Sequence, residues 1–149
     1  MNCNTQELPK KEIAAIKHLW EKLNQIHYQD SVYFKDHFQT FTFEKRCNDF
    51  SNINDENIQI NVLIDSEKVV GYCIATIKKA VGEIESIYVD DEYRKEGFGK
   101  KLIEESTDWL KENKCKKIMV AVAHGHENVF DFYMKMAFYP RVSYLQLKE

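Results

Sequence analysis

Between Lys11 and His27 the apolar residues fall at Ile13, Ile16, Leu19, Trp20, Leu23 and Ile26. Gaps of three and four place them on one face of a helix, with Pro9 tolerated near its start. Residues 28–43 crowd together Tyr28, Tyr33, Phe34, Phe38, Phe41 and Phe43 with no clear period, and a short helix is expected over Phe43–Phe50. After the polar stretch Asn52–Asn57 the rhythm changes. Ile58, Ile60, Val62 and Ile64 alternate with Gln59 and Asn61, which is the period of a strand. Asp65–Lys68 reads as a tight turn and Val69–Ile77 as a β-branched second strand, so the pair forms a hairpin. Glu83–Val89 is a third strand. Gly97–Asn113 returns to the helical period, with Phe98, Leu102, Ile103, Trp109 and Leu110 on its apolar face. Lys117–Ala123 is apolar on both faces and reads as a central strand. A short helix over Asn128–Met136 and a final strand over Phe138–Leu147 complete the chain.

The strand–helix–strand unit from Glu83 to Ala123 requires a right-handed crossover and one parallel strand pair. Its first strand is irregular. Ile84, Ile87 and Val89 are separated by three and then two, so the alternation slips by one residue. A β-bulge produces such a slip. It would splay this strand from its parallel neighbour and leave backbone groups unpaired.

Composition narrows the function classes. The 149 residues, 44% hydrophobic and 30% charged, suit one domain spanning 1–149, and no linker, repeat or low-complexity segment interrupts them. A net charge of −3 argues against a general nucleic-acid binder. No apolar run approaches the roughly 20 residues of a membrane span. Cys3, Cys47, Cys73 and Cys115 form no C-x-x-C pair and read as free thiols of a reducing compartment. Together with an N-terminal stretch that lacks an apolar signal core, this gives a cytoplasmic location as the expectation. His124 and His126 form H-x-H, but no third ligand has a suitable spacing, so no metal is expected.

Within this acidic chain, Arg94-Lys95-Glu96-Gly97-Phe98-Gly99-Lys100-Lys101 concentrates positive charge between a strand and a helix. The glycines permit a tight turn and close backbone approach. The free N–H groups of the first helical turn, reinforced by the helix dipole, form a site for a pyrophosphate. Read from its residues alone, the loop is either such a site or a solvated basic turn. It matches neither the dinucleotide G-x-G-x-x-G nor the P-loop pattern.

The loop resembles the R/Q-x-x-G-x-G/A signature of the GNAT superfamily of acyl-CoA-dependent N-acyltransferases, with Arg94, Gly97 and Gly99 at its fixed positions. Glu83–Asp90 resembles the family's strand before that loop, and Phe132-Tyr133-Met134-Lys135-Met136-Ala137-Phe138 resembles its FYxKxGF element. The resemblance implies a mixed α/β (α+β) fold: a largely antiparallel twisted sheet with one splayed parallel strand pair, flanked by about four helices. It implies acetyl-CoA as cosubstrate. The pantetheine arm would occupy the splay against Ile87, Tyr88 and Val89, and the pyrophosphate would lie on Arg94, Lys95, Glu96, Gly97, Phe98, Gly99 and Lys100. The family's CoA-contacting Asn position falls on His126, with Asn128 two residues later. The helix-ending glycine is replaced by Ala137.

Amine acylation needs a deprotonated acceptor, N–H donors for the oxyanion and a proton for the departing thiolate. The resemblance makes Tyr133 the acid, since a phenol is protonated at neutral pH. Glu83 and Glu85 are the candidates for the base, directly or through a water. For either one, a solvated strand carboxylate is an equal alternative. The function this implies is transfer of acetyl from acetyl-CoA to a primary amine by direct attack in a ternary complex, because no cysteine is placed for a covalent acyl-enzyme. The alternative is a non-catalytic acyl-CoA-binding module of the same fold. Dimers are frequent in the family, which leaves a homodimer open. His27, Tyr28, Asp30, Tyr33, Asp36 and the neighbouring phenylalanines mix aromatic faces with carboxylates. This suits a small-molecule amine acceptor through cation–π attraction and charge pairing.

Overall fold

The computed structural model describes residues 2–149. Five strands form one sheet in the order of the chain: β1 (Cys3–Leu8), β2 (Ile58–Asp65), β3 (Lys68–Lys78), β4 (Val81–Val89) and β5 (Lys117–Val120). The first four pair antiparallel, and β4 pairs parallel with β5. The helices are α1 (Lys17–Asp30), α2 (Lys35–Thr40), α3 (Phe43–Phe50), α4 (Phe98–Glu112) and α5 (Phe130–Met134), with short 3-10 segments between them. This is the mixed α/β architecture with one parallel pair that the patterning implies.

Alternation along β2 and β3 sends side chains to two separate cores. Ile60, Val62, Tyr72 and Ile74 meet Ile16, Leu19, Trp20, Phe43 and Phe50 from the α1 and α3 side. Leu63, Cys73 and Ala75 face the other way, onto Leu102, Ile103 and Leu110 of α4 and Tyr133 of α5. Both hairpin turns have two central residues at positive φ. They are Ser66 (48°) and Glu67 (77°) in the first, Lys79 (51°) and Ala80 (63°) in the second. Such turns match the right-handed twist of the strands they join, even without glycine.

Three expectations are corrected. The chain begins with a strand, β1, that polar Asn4, Thr5, Gln6 and Glu7 do not advertise. A sheet-edge position with one covered face lets polar residues serve. The strand expected over Lys117–Ala123 ends at Val120 and lies at the edge of the sheet rather than its centre, because among the described residues β4 is its one partner. No strand forms over Phe138–Leu147. The backbone there has no ladder partner, and Tyr144, Leu145 and Leu147 are 85–93% exposed.

The end of α5 settles what Ala137 does at the usual glycine position. It adopts φ +67°, while the Phe138 N–H donates to the Tyr133 carbonyl (3.1 Å) and the Ala137 N–H to that of Met134 (3.1 Å). That is a complete Schellman cap built on a residue with a Cβ. The left-handed conformation costs such a residue about 1 kcal/mol. Ala137→Gly is therefore expected to raise the melting temperature by about 2–4 °C. An unchanged or lower value in a thermal melt would show that the cap is unstrained.

Candidate active site

Opposite the junction of Ile74 and Ala75 the β3–β4 register shifts: Ile74 faces Ser86 and Ala75 faces Ile84, so Glu85 is the extra residue. This is the bulge that the spacing of Ile84, Ile87 and Val89 implies. The parallel pairing with β5 runs from Val81 to Ile84 and stops there, opposite Val120. From the bulge to Val89, β4 keeps β3 on one side and has no strand on the other among the described residues. The two strands therefore separate where β4 approaches the Arg94–Lys101 loop.

The bulge turns Glu85 toward the α3 side, and it does not face solvent: its side chain is 9% exposed. One carboxylate oxygen accepts from Arg46 Nη2 at 2.9 Å and the other from Thr76 Oγ1 at 2.6 Å. Arg46 Nη2 also donates to the Glu85 carbonyl (3.1 Å), and its guanidinium lies 4.6 Å from the Phe50 ring centre. Glu83 is half-buried beside this network and has no hydrogen-bond partner among the described residues. Burial raises its carboxyl above the usual range and the Glu85 charge adds to this; Arg46 and Lys78 oppose it. Next along the strand, Ser86 and Tyr72 share a hydrogen bond at 2.7 Å.

Arg46 and Thr76 are absent from the candidate residues read off the sequence. A signal for Arg46 exists: Phe43, Arg46, Cys47 and Phe50 share the i, i+3, i+4, i+7 face of α3. A cation on that apolar face needs a buried partner, and Glu85 is that partner.

Tyr133 is on the other face of the sheet, 7% exposed within the α4-side core. Its ring packs edge-on against Phe132 (5.1 Å) and Phe138 (6.0 Å). No partner for its hydroxyl is found among the described residues. Burial holds the phenol well above its ordinary range, so it carries its proton at neutral pH.

Gly97 caps α4 at φ +83°, and no side chain caps the first turn. A Cβ placed on Gly97 would meet nothing within 4 Å, so the space before the helix is open. Gly99 differs: its Cβ would come 3.3 Å from the Phe132 ring, so the second glycine lets α4 and α5 pack closely. Arg94 is bound to the loop itself. Its Nε donates to the Val89 carbonyl (2.8 Å), its Nη1 pairs with Asp91 (2.9 Å), and its guanidinium lies 5.0 Å from the Tyr88 ring centre. Lys95, Glu96, Lys100 and Lys101 are exposed, with Lys100 loosely paired to Glu104 at 3.6 Å. Phe98 packs partly against the α4-side core.

His126 Nδ1 lies 3.1 Å from Asp30 Oδ2, and its ring is edge-on to His27 at 5.1 Å. Burial lowers the His27 pKa to about 4, with His126 adding to the shift and Asp30 opposing it. A Cβ at Gly125 would collide with the Asp30 carbonyl. The loop after β5 is thus clamped to the end of α1. Asn128 is exposed on its outer turn, and His124 stacks on Tyr33 at 5.8 Å. Of the aromatics in residues 28–43, Phe41 and Phe43 pack on Trp20, and Phe38 on His27. Among the described residues no three His, Cys, Asp or Glu side chains converge as a metal site would require. Among the described residues no helix is long and apolar enough to cross a membrane.

The chain matches the acetyltransferase (GNAT) family over residues 16–138 and belongs to it. Its architecture recurs in solved structures at low identity. The PaiA N-acetyltransferase of Thermoplasma acidophilum, in complex with coenzyme A, is 18% identical, covers 91% of this chain and 89% of its own, and superposes with a TM-score of 0.72. An aminoglycoside acetyltransferase from an uncultured soil metagenomic sample, in complex with trehalose, is also 18% identical, with coverages of 99% and 96% and a TM-score of 0.70. The ribosomal-protein-alanine N-acetyltransferase of Brucella melitensis biovar Abortus 2308 is 15% identical over all of both chains, with a TM-score of 0.70.

Proposed function

We propose that residues 1–149 form a single acetyltransferase domain that uses acetyl-CoA to acetylate the primary amine of a small molecule, by direct attack with both substrates bound. The observation that carries this reading is the opening beside β4, which leads from the bulge at Glu85 to the open start of α4. The unpaired edge at Ile87, Tyr88 and Val89 suits the amide-bearing pantetheine arm. The uncapped amides of Phe98, Gly99 and Lys100, with Lys95 and Lys100 around them, suit a pyrophosphate. Arg94 shapes this loop through Val89 and Asp91. On the third side, Asn128 contacts CoA, while His126 fixes the loop through Asp30.

Proton transfers divide between the two faces of the sheet. Glu83 takes the proton of the acceptor ammonium, directly or through a water, while Glu85 is held by Arg46 and Thr76 as a fixed charge. Tyr133 protonates the departing thiolate, whose conjugate acid has a pKa of about 8.5. The acceptor enters from the side of α1 and α2, where Tyr33, exposed beside His124, and the Asp30 carboxylate suit a small cation.

Two measurements test this. Steady-state release of CoA thiol should require an amine and should favour small amines over peptides. Binding of acetyl-CoA without turnover against any amine would make the chain a binding module instead. Lys95→Glu together with Lys100→Glu, both on exposed side chains, should leave the circular dichroism spectrum unchanged. Acetyl-CoA affinity in calorimetry should fall by about tenfold or more, as expected when charge-assisted contacts are reversed. Unchanged affinity would place the pyrophosphate elsewhere.

A further inference from the structure

The opening beside β4 has two banks, and among the described residues no strand pairing joins them beyond Ile84. One bank is the end of β4 with the loop that follows it. The other is the loop after β5. Both are tied to the same helix. In the first half of α1, Lys22 Nζ donates to the two carboxylate oxygens of Asp90 at 3.0 and 3.2 Å. Asp90 directly follows β4, and its N–H donates to the Val70 carbonyl (2.9 Å), so this anchor is itself fixed on β3. At the far end of α1, Asp30 pairs with His126 (3.1 Å). The backbone at Gly125 passes so close to the Asp30 carbonyl that a Cβ there would collide with it.

Between these two ties the helix is a rigid spacer. Eight residues separate Lys22 from Asp30, which is about 12 Å of helix. Hydrogen-bonded strands lie about 4.8 Å apart, so a gap that admits one more extended chain is about 10 Å wide. The two lengths are comparable. Leu19, Trp20, Leu23 and Ile26 seat the same stretch of α1 on its core and keep it from sliding. The tie at Lys22 is not what holds the fold together. Its lysine is 51% exposed, and ion pairs of that kind contribute little to stability. Its consequence lies in where it fixes the end of β4.

We propose that α1 is a brace that sets the width of the opening, with Lys22 and Gly125 as positioning residues for acetyl-CoA. This rests on the reading of the opening as the seat of the pantetheine arm. A gap held at the width of an extended chain receives one without rearrangement, so the brace adds affinity by preorganisation. A brace acts only while both ends hold. Releasing either end frees the gap, and releasing the second adds little.

Calorimetry with acetyl-CoA on the full chain tests this, with melting temperatures recorded alongside. Lys22→Met removes the charge and keeps the length, Lys22→Arg keeps the charge, and Gly125→Ala forces the second bank off Asp30. Lys22→Met and Gly125→Ala are each expected to weaken acetyl-CoA binding by about fivefold or more, the low end of couplings between separate sites. Lys22→Arg should bind as the parent does. The double variant Lys22→Met, Gly125→Ala should lose far less than the product of the two single losses. If Gly125→Ala does not fold, Asp30→Ala, which removes the partner of His126, takes its place. A double loss equal to the product means two local effects and overturns the brace. Parent-like affinity in Lys22→Met overturns the brace alone, whereas a parent that does not bind acetyl-CoA overturns the reading of the opening and the brace with it.

Discussion

Replacement of Tyr133 by Phe is expected to lower kcat by about 10²–10⁴-fold, the range of a lost general acid, while acetyl-CoA affinity stays within a few-fold of the parent. The environment makes this swap clean. Tyr133 is packed between Phe132 and Phe138, and its hydroxyl has no protein partner among the described residues, so phenylalanine keeps the contacts and leaves no donor or acceptor orphaned. Folding stability should therefore be unchanged or slightly higher. Because burial keeps the phenol protonated far into the alkaline range, the parent should show no loss of rate from Tyr133 near neutral pH. Single-turnover kinetics at saturating substrates decide the matter. A parent-like chemical rate in Tyr133→Phe would leave Tyr133 a packing residue.

The sequence made the outline of this site legible because its signals are local. A slip in alternation gave the bulge at Glu85. Two glycines among cations gave the start of α4, and Tyr133 came with a recognisable heptapeptide. What it did not reveal are pairings between distant segments. Glu83 and Glu85 look alike in a strand that reads Glu-Ile-Glu, and the structure separates them only through Arg46, 39 residues earlier, and Thr76. His126 is fixed by Asp30 across 96 residues, a contact that no spacing rule reaches. Gly99 looked like part of a phosphate turn, yet its missing side chain makes room for Phe132. The misread strands have the same origin. β1 is polar because an edge strand tolerates it, and Lys117–Ala123 reads as central because it is apolar on both faces, although β5 ends at Val120 and stands at the sheet edge with its apolar residues half-buried.

Glu83→Gln and Glu85→Gln are expected to fail in different ways, and the contrast tests the division of roles between the two carboxylates. Glu83 sits in a partly dry position beside a fixed negative charge, so its protonated form is favoured more than in water. As the base, it must be ionised, so the rate of the parent should rise with pH through a group titrating above the ordinary carboxylate range. A second rise at higher pH belongs to the acceptor amine. Glu83→Gln should abolish the first rise, keep the second, and cost about 10²-fold or more in kcat. Its stability should move the other way. A carboxyl whose folded pKa is raised contributes most at low pH and loses that contribution as pH climbs through the folded value, so at neutral pH the glutamine is neutral or stabilising. Glu85→Gln removes a charge from a mostly buried ion pair and weakens its bonds to Arg46 and Thr76, at a cost of about 1–3 kcal/mol in folding free energy. It should retain the lower pH limb, displaced toward acid, because the charge that helped raise the Glu83 pKa is gone while Arg46 and Lys78 still lower it. Loss of that limb in Glu85→Gln with its persistence in Glu83→Gln would exchange the two roles. Its persistence in both variants would assign the proton to water.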